Sequence, residues 1–392
     1  MKALGLAAAL ALAAWTWLAL LRGGYWRTDV RLPDGPVPAP WPSVAVVVPA
    51  RNEAAVLPLS LPTILAQQYS GPLQVILVDD GSTDGTGGLA RRLAAGPGEA
   101  RTGTAVAAFT AVEPGPPPAG WTGKLWALAA GIDAAGPVDL LLFTDADVAH
   151  QPDSLERLVR AAADRDLVSQ MARLRTETPW ERLIVPAFVY FFGLLYPLRW
   201  NNRARSRTAA AAGGCVLVRR STLMQAGGLP VIHGAVIDDV ALARLIKRAG
   251  GRIFLGLGDQ VESVRPYPNL ASLWAVISRS AYAQLRHSLL LLTGTVLGLA
   301  VVFLVPPLAA VVGAIAGNVA VAALGAAGWL LLAGLYVPML RYYRQPLLLT
   351  LALPFVAALY LAMTVDSAWD YYRGRGAEWK GRTYSKPPHV TR

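Results

Sequence analysis

An open α/β domain with a mostly parallel sheet, joined to membrane-spanning helices, is the fold class this sequence predicts. Three observations carry that expectation. Strand-like apolar runs alternate with helical stretches, and each run ends in polar residues, as βα units of a parallel sheet do. Of the 392 residues, 54% are hydrophobic, and the mean hydropathy of +0.40 is too high for an ordinary soluble enzyme. Finally, the 53 residues from Ser288 to Leu340 carry no charge.

The chain opens with an uncharged apolar run of 19 residues, Ala3 to Leu21, enough to cross a bilayer as a helix. It is longer than the apolar core of a cleaved signal peptide, and no clear small-residue cleavage site follows. Arg22, Arg27 and Arg31 follow it, against Lys2 before it. The positive-inside rule therefore places the next domain in the cytoplasm. Residues 1–24 read as a membrane anchor of a bacterial inner membrane protein, and 25–42, with five prolines between Arg31 and Pro42, as a linker.

Residues 43–287 read as the α/β domain. Ser43–Val48 is a buried strand that ends in Pro49-Ala50-Arg51-Asn52-Glu53. Leu73–Val78 is the next, ending in Asp79-Asp80-Gly81, whose glycine permits a tight strand-to-helix turn. Trp121-Thr-Gly-Lys124 opens a helix after a proline-rich loop. Leu140–Phe143 is the central strand, and it runs into Asp145-Ala-Asp147. Ligands of open α/β sheets sit beyond the carboxyl ends of the strands. Hard oxygen ligands at that place suit Mg²⁺ or Mn²⁺ carrying a diphosphate. Helix capping is the bland alternative, and Asp153 is expected to cap the helix that follows. Gly213-Gly214 enters another strand, and Asp238-Asp239 precedes a helix through Ala249.

Pro197 and Pro186 interrupt the apolar stretch Leu183–Leu198, which suits an interfacial or buried helix. Seven arginines and no acid lie between Arg182 and Ile237, a pattern that beside an apolar helix favours anionic lipid headgroups. The same argument makes the net charge of +11 a membrane feature, with no nucleic acid as partner. Cys215 is the only cysteine, which excludes an internal disulfide and a thiolate metal cluster. His150, His233, His287 and His389 show no metal-ligand spacing.

Residues 288–365 read as three spans, at about 289–316, 319–340 and 346–365, with a turn near Gly317-Asn318. The tail 366–392 holds six basic residues (Arg373, Arg375, Lys380, Arg382, Lys386 and Arg392) against three acidic ones. Four spans put this tail outside, whereas its charge favours the cytoplasm. Charge and span count conflict there.

Taken together, the Pro-x-x-Asn-Glu turn, Val-Asp-Asp-Gly-Ser-x-Asp, the Gly-Lys before a helix, Asp-x-Asp and the late acidic pair resemble family 2 glycosyltransferases of the GT-A fold, over about Val44–Gly258. Ala119–Ala127, Leu142–Asp147, Ala211–Cys215, Ile237–Ala243, Arg265–Pro268, Asp366–Trp369 and Trp379–Arg382 further resemble the hopene-associated glycosyltransferases, relatives of the ceramide glucosyltransferases. The sequence departs from the polymerising and ceramide enzymes at Arg279–His287, where no Gln-x-x-Arg-Trp motif is present.

The resemblance implies a membrane-bound inverting transferase that moves a sugar from a UDP-sugar donor to a hopanoid or other isoprenoid lipid. Pro49, Ala50, Arg51, Glu53, Asp79, Asp80, Lys124 and Asp145 would bind the nucleotide sugar. Asp147, with Asp145, would hold the Mg²⁺ or Mn²⁺. Asp239 matches the base position, with Asp238 as its partner, and Gly213, Gly214, Tyr282 and Arg286 fall on the acceptor side. A processive polysaccharide synthase and a non-catalytic nucleotide-sugar-binding scaffold are the competing readings.

Overall fold

The computed structural model describes residues 1–96 and 108–374, with two short strands at Glu378–Trp379 and Arg382–Thr383. Of the basic tail, Arg375, Lys380, Lys386 and Arg392 lie outside the described residues, as do the side chains of Trp379 and Arg382. Two compact units emerge. Asp29–Arg175, Asn201–Pro266 and Glu378–Arg392 form the α/β unit, and Met1–Thr28, Thr176–Trp200 and Tyr267–Ala377 form the helical one. Residues 176–200 and 267–287 thus group with the helices, where the sequence placed them in the α/β domain.

The α/β unit is built on eight strands: β1 (Val44–Ala50), β2 (Leu73–Asp79), β3 (Ala108–Val112), β4 (Leu140–Thr144), β5 (Val148–His150), β6 (Leu167–Arg173), β7 (Cys215–Arg219) and β8 (Ile253–Ser263). Their order is β3-β2-β1-β4-β7-β6-β8-β5. The neighbours from β3 to β4 are parallel, as are β6 and β8, whereas β7 runs antiparallel to β4 and β6, and β5 antiparallel to β8. The sheet is therefore mixed and mostly parallel. Alternation along β1 sends Val44, Val46 and Val48 to one face and Ala45 and Val47 to the other. The first set packs with Leu57, Leu61 and Leu155. The second packs with Leu125, Leu128 and Ile246.

The helix Gly123–Ala135 lies so close to β1 that a Cβ on Gly131 would sit 2.2 Å from Val47 Cγ1. Gly131→Leu is expected to destabilise this unit by about 1–3 kcal/mol or more, the usual range for overpacking, which a thermal melt would register. A substitution that melted with the wild type would show that the helix can back away from the sheet.

Among the described residues, four helices, all in the helical unit, are long and apolar enough to cross a membrane: Lys2–Leu21, Leu289–Ile315, Val319–Tyr342 and Leu347–Tyr372. The second contains a π-helical turn, Ala300–Leu304, just before Pro306. Proline offers no N–H to the preceding turn, and such local rewinding accommodates the lost hydrogen bond. Small residues let the second and third helices touch: a Cβ on Gly325 would come within 2.3 Å of Ala310 N, the close approach that small residues permit between membrane helices. Leu183–Leu195 of the apolar stretch lies in a helix, Pro179–Leu195, in which Ile184, Val185, Ala187, Val189 and Tyr190 are buried and Leu195 is exposed, while Leu198 lies beyond it. Thr178 and Glu181 close its start as a capping box.

Candidate active site

The ends of β1 and β2 are laced into one turn. Asn52 adopts φ +51°, a left-handed conformation that Asn tolerates better than most residues. Its N–H donates to Ser82 Oγ at 2.9 Å, and its Oδ1 accepts from Thr83 N–H at 2.8 Å. Glu53 N–H donates to Thr86 Oγ1 at 2.8 Å, and Asp80 N–H to the Ala50 carbonyl at 2.9 Å. Arg51 donates to the Asp80 carbonyl, and its Nη1 lies 3.9 Å from Asp80 Oδ2. Asp80 is 1% exposed; its carboxylate faces Arg51 and shapes the turn. Asp79 accepts from Ser82 N–H at 2.9 Å, and its Oδ2 closes on Gly87, where a Cβ would stand only 2.5 Å away.

At the end of β4 the chain turns sharply. Val148 N–H returns to the Asp145 carbonyl at 3.1 Å, and Ser60 Oγ donates to the Ala146 carbonyl. Thr144 Oγ1 donates to the Gly214 carbonyl at 2.9 Å, so it accepts from His150 Nε2 at 2.8 Å. Burial pushes the His150 imidazole down to about 4, which keeps this brace neutral. Asp153 makes no side-chain cap on the helix Ser154–Ala161, contrary to expectation. Its Oδ2 stands 4.0 Å from Arg157 instead.

Lys124 is the hub of the cleft. Its ammonium lies 2.9 Å from Asp145 Oδ1 and 3.1 Å from Asp238 Oδ2. Burial alone would depress that ammonium, but Asp145, Asp238 and Asp239 outweigh it and hold its pKa above the ordinary lysine value. Burial raises the Asp145 carboxyl, opposed by Lys124 and reinforced by Asp147 and Asp238. Asp239 opens the helix Asp238–Arg248 at its second residue. Its Oδ2 accepts from Gly213 N–H at 2.9 Å, and its Oδ1 from Val240 N–H at 2.7 Å. Burial and then Asp238 push the Asp239 carboxyl up to about 7, against Lys124 and the two N–H donors. A side chain at position 213 would crowd this arrangement, its Cβ 3.0 Å from Lys124 Nζ. Pro49, Lys124, Phe143, Asp145, Gly213, Asp238 and Asp239 line one cleft.

The fold therefore gathers Pro49, Lys124, Asp145, Gly213, Asp238 and Asp239 in one place, with Asp147 two residues on from Asp145. Glu53 joins Asp147 through a residue that the sequence reading assigned no role. Arg265, just beyond β8, donates from Nε to Asp147 Oδ2 at 2.9 Å and from Nη2 to Glu53 Oε2 at 2.6 Å. Ser263 Oγ donates to the same Asp147 oxygen at 3.0 Å. The legible signal was a strand-like run ending in Ser263-Val-Arg265-Pro266, a cation where other strands end in acids. Tyr282 and Arg286 belong to the helical unit. Tyr282 is buried and its hydroxyl lies 3.0 Å from that of Tyr372, while Arg286 adopts φ +54°.

The donor set suits a divalent ion of the Mg²⁺ or Mn²⁺ kind. No group of three or more His, Cys, Asp or Glu is arranged for metal binding among the described residues, and the carboxylates of Asp145 and Asp147 are engaged by Lys124 and Arg265. Mg²⁺ characteristically takes one or two carboxylates and completes its shell with phosphate and water oxygens.

A mixed sheet with acids at the carboxyl ends of β1, β2 and β4, and a further acidic pair across the cleft, is the GT-A fold of nucleotide-diphospho-sugar transferases. The sequence model of the family described as "Glycosyl transferase family 2" matches residues 45–226, a little under half of the chain. An N-acetylglucosaminyltransferase of Mesorhizobium japonicum is 33% identical over 201 residues, covering 49% of this chain and 42% of the relative. An undecaprenyl-phosphate 4-deoxy-4-formamido-L-arabinose transferase of Aeromonas hydrophila is 37% identical over 142 residues, covering 36% and 39%. This chain thus spans about two fifths of the length of these curated relatives. Among solved structures, the mannosyltransferase PcManGT of Pyrobaculum calidifontis, in complex with GDP-Man and Mn²⁺, shares the fold. It superposes with a TM-score of 0.61 at 23% identity, over 94% of this chain and 99% of that one.

Proposed function

We propose that this protein is a membrane-bound inverting glycosyltransferase that moves a sugar from a nucleotide sugar, a UDP-sugar, to a lipid hydroxyl of the hopanoid or isoprenoid class. The observation that carries the reading is Lys124 held between Asp145 and Asp238 with Asp239 adjoining. Donor-side and acceptor-side acids meet there around one cation. Pro49, Ala50, Glu53 and Asp79 bind the nucleoside, and Arg51 with Asp80 fixes the turn that presents them. Asp147 and Asp145 would hold the divalent ion, which would supply positive charge to the departing diphosphate. Lys124 adds its own charge on that side. Asp239 takes the proton of the acceptor hydroxyl, and Asp238 keeps Lys124 in place. Asp145 and Asp238 are paired with Lys124 and Asp147 with Arg265, so none of them is offered as a nucleophile, and one displacement inverts the sugar carbon. The four apolar helices supply the membrane attachment, and the α/β unit faces the cytoplasm.

A lipid phosphate is the second reading, favoured by the name of the Aeromonas relative. The base argues for the alcohol. A phosphate is already an anion near neutral pH and needs no proton removed, whereas a hydroxyl is a poor nucleophile until a base works on it. A carboxylate raised to about 7 is suited to the latter.

The test is nucleoside diphosphate release by the detergent-purified protein with Mg²⁺ or Mn²⁺, across a panel of nucleotide sugars. Each donor is paired with a hopanoid-rich extract, with a polyprenyl phosphate, or with no lipid. Release that requires the hopanoid extract supports the proposal. Release that requires the polyprenyl phosphate replaces the alcohol acceptor with the phosphate one. A polymer formed without lipid points to a synthase, and donor binding without release under every condition points to a scaffold.

A further inference from the structure

One guanidinium ties together two carboxylates from the turns that follow β1 and β4. Arg265 reaches Asp147 Oδ2 at 2.9 Å and Glu53 Oε2 at 2.6 Å. The residue before it is fixed to the same turn, because Val264 N–H donates to the Asp147 carbonyl at 2.8 Å. Ser263 Oγ supplies a second donor to Asp147 Oδ2. The group is well shielded, with side-chain exposures of 25% for Arg265, 8% for Glu53 and 13% for Asp147. Charge-assisted hydrogen bonds of this geometry are among the stronger ones in proteins.

That arrangement bears on how a metal ion could use Asp147. An oxygen already accepting from a guanidinium and a hydroxyl is a poor ligand for a bare ion. To coordinate it, the ion must displace a cation that Glu53 also holds. The displacement becomes favourable when the guanidinium gains another anion in exchange. A diphosphate supplies one, since its oxygens match the planar fork of arginine. We propose that Arg265 makes divalent-ion binding conditional on the nucleotide diphosphate. It guards Asp147 against the ion alone and trades that carboxylate for diphosphate oxygens when ion and nucleotide are present together. By linkage, the ion then tightens the nucleotide by the same factor as the nucleotide tightens the ion. The inference rests on reading Asp147 as a metal ligand of the proposed transferase. It makes Arg265 a positioning residue for ion and donor.

The experiment is a Mn²⁺ titration of the full-length detergent-purified protein, following free Mn²⁺ by electron paramagnetic resonance. It is run alone, with UDP and with GDP, on wild type and on the Arg265→Gln, Arg265→Lys and Asp147→Asn variants. Wild type is expected to bind Mn²⁺ about tenfold or more tightly with one of the nucleotides than without, within the usual range of coupling factors. Arg265→Gln is expected to bind bare Mn²⁺ about tenfold more tightly than wild type, with the nucleotide enhancement much reduced. Arg265→Lys keeps a charge but not the fork, and falls between the two. The proposal is overturned if both Arg265 variants bind bare Mn²⁺ no more tightly than wild type while Asp147→Asn abolishes nucleotide-dependent binding. If Asp147→Asn leaves Mn²⁺ binding untouched, the metal-ligand reading of Asp147 fails first, and the inference falls with it.

Discussion

Asp239→Asn is expected to lower the transfer rate by about 10²–10⁴-fold, the usual contribution of a general base, while donor binding stays intact. The site around Asp239 explains why. Its two oxygens are aimed by the Gly213 and Val240 N–H groups, and burial and Asp238 raise its carboxyl to about 7. A base works only when deprotonated. In the wild type, kcat/KM should therefore rise about tenfold per pH unit below 7 and level off above it. The variant should lose that limb. Stability provides a control with the opposite sign. The folded pKa lies above the unfolded carboxyl value of about 3.9, so the native state binds more protons between those values. Stability conferred by the protonated form is present at low pH and is lost as pH rises through that window. The neutral Asn escapes this loss but gives up the acceptor of one of the two N–H groups, a cost of about 1–3 kcal/mol, so Asp239→Asn is expected to melt closer to wild type at pH 8 than at pH 5. Retained transfer with an unchanged pH profile would remove Asp239 from the mechanism. A melt far below wild type would mean that the lost activity reports unfolding.

Lys124→Gln should cost about 10²–10³-fold in rate, as loss of one preorganised charge at a developing anion does. It should also move the acidic limb of the pH profile. Lys124 is the cation that lowers the Asp239 pKa, so without it Asp239 holds its proton to higher pH and the limb shifts upward. That shift separates a role in the chemistry from a merely structural one. Removing one partner of a buried charged group commonly destabilises by about 3–5 kcal/mol; with the Lys124 side chain 18% exposed, a somewhat smaller cost is expected. Lys124→Arg keeps the charge and is expected to leave the limb in place even where altered geometry slows turnover. An unshifted limb in Lys124→Gln, with fold retained, would contradict the coupling.

The central motifs were legible because they are local. A strand announces itself by a short apolar run, and Asp79-Asp80, Asp145-Ala-Asp147 and Asp238-Asp239 follow or precede such runs directly. The apolar spans were equally plain from their length. Elements with weaker patterns escaped notice: β3, β5, β6 and β8 are short, or carry polar residues within them. The run Leu183–Leu198, interrupted by two prolines, left an interfacial and a buried reading open.

What the sequence by itself determined was the kind of domain, the four apolar helices and the list of charged residues available for chemistry. The tertiary structure decided which of those charges meet. Asp80 turns to Arg51 and shapes a loop, whereas Asp145 and Asp238 converge on Lys124 from strands and helices far apart in the chain. Arg265 reaches Glu53 and Asp147 only because β8 ends beside β5, 118 residues after Asp147 and 212 after Glu53. Gly213 acquires its part only because its N–H lies against Asp239. The physical reason is the range of each signal. Strand and helix periodicities depend on neighbours within a few residues, but an ion pair depends on the register and order of strands, which long-range packing sets.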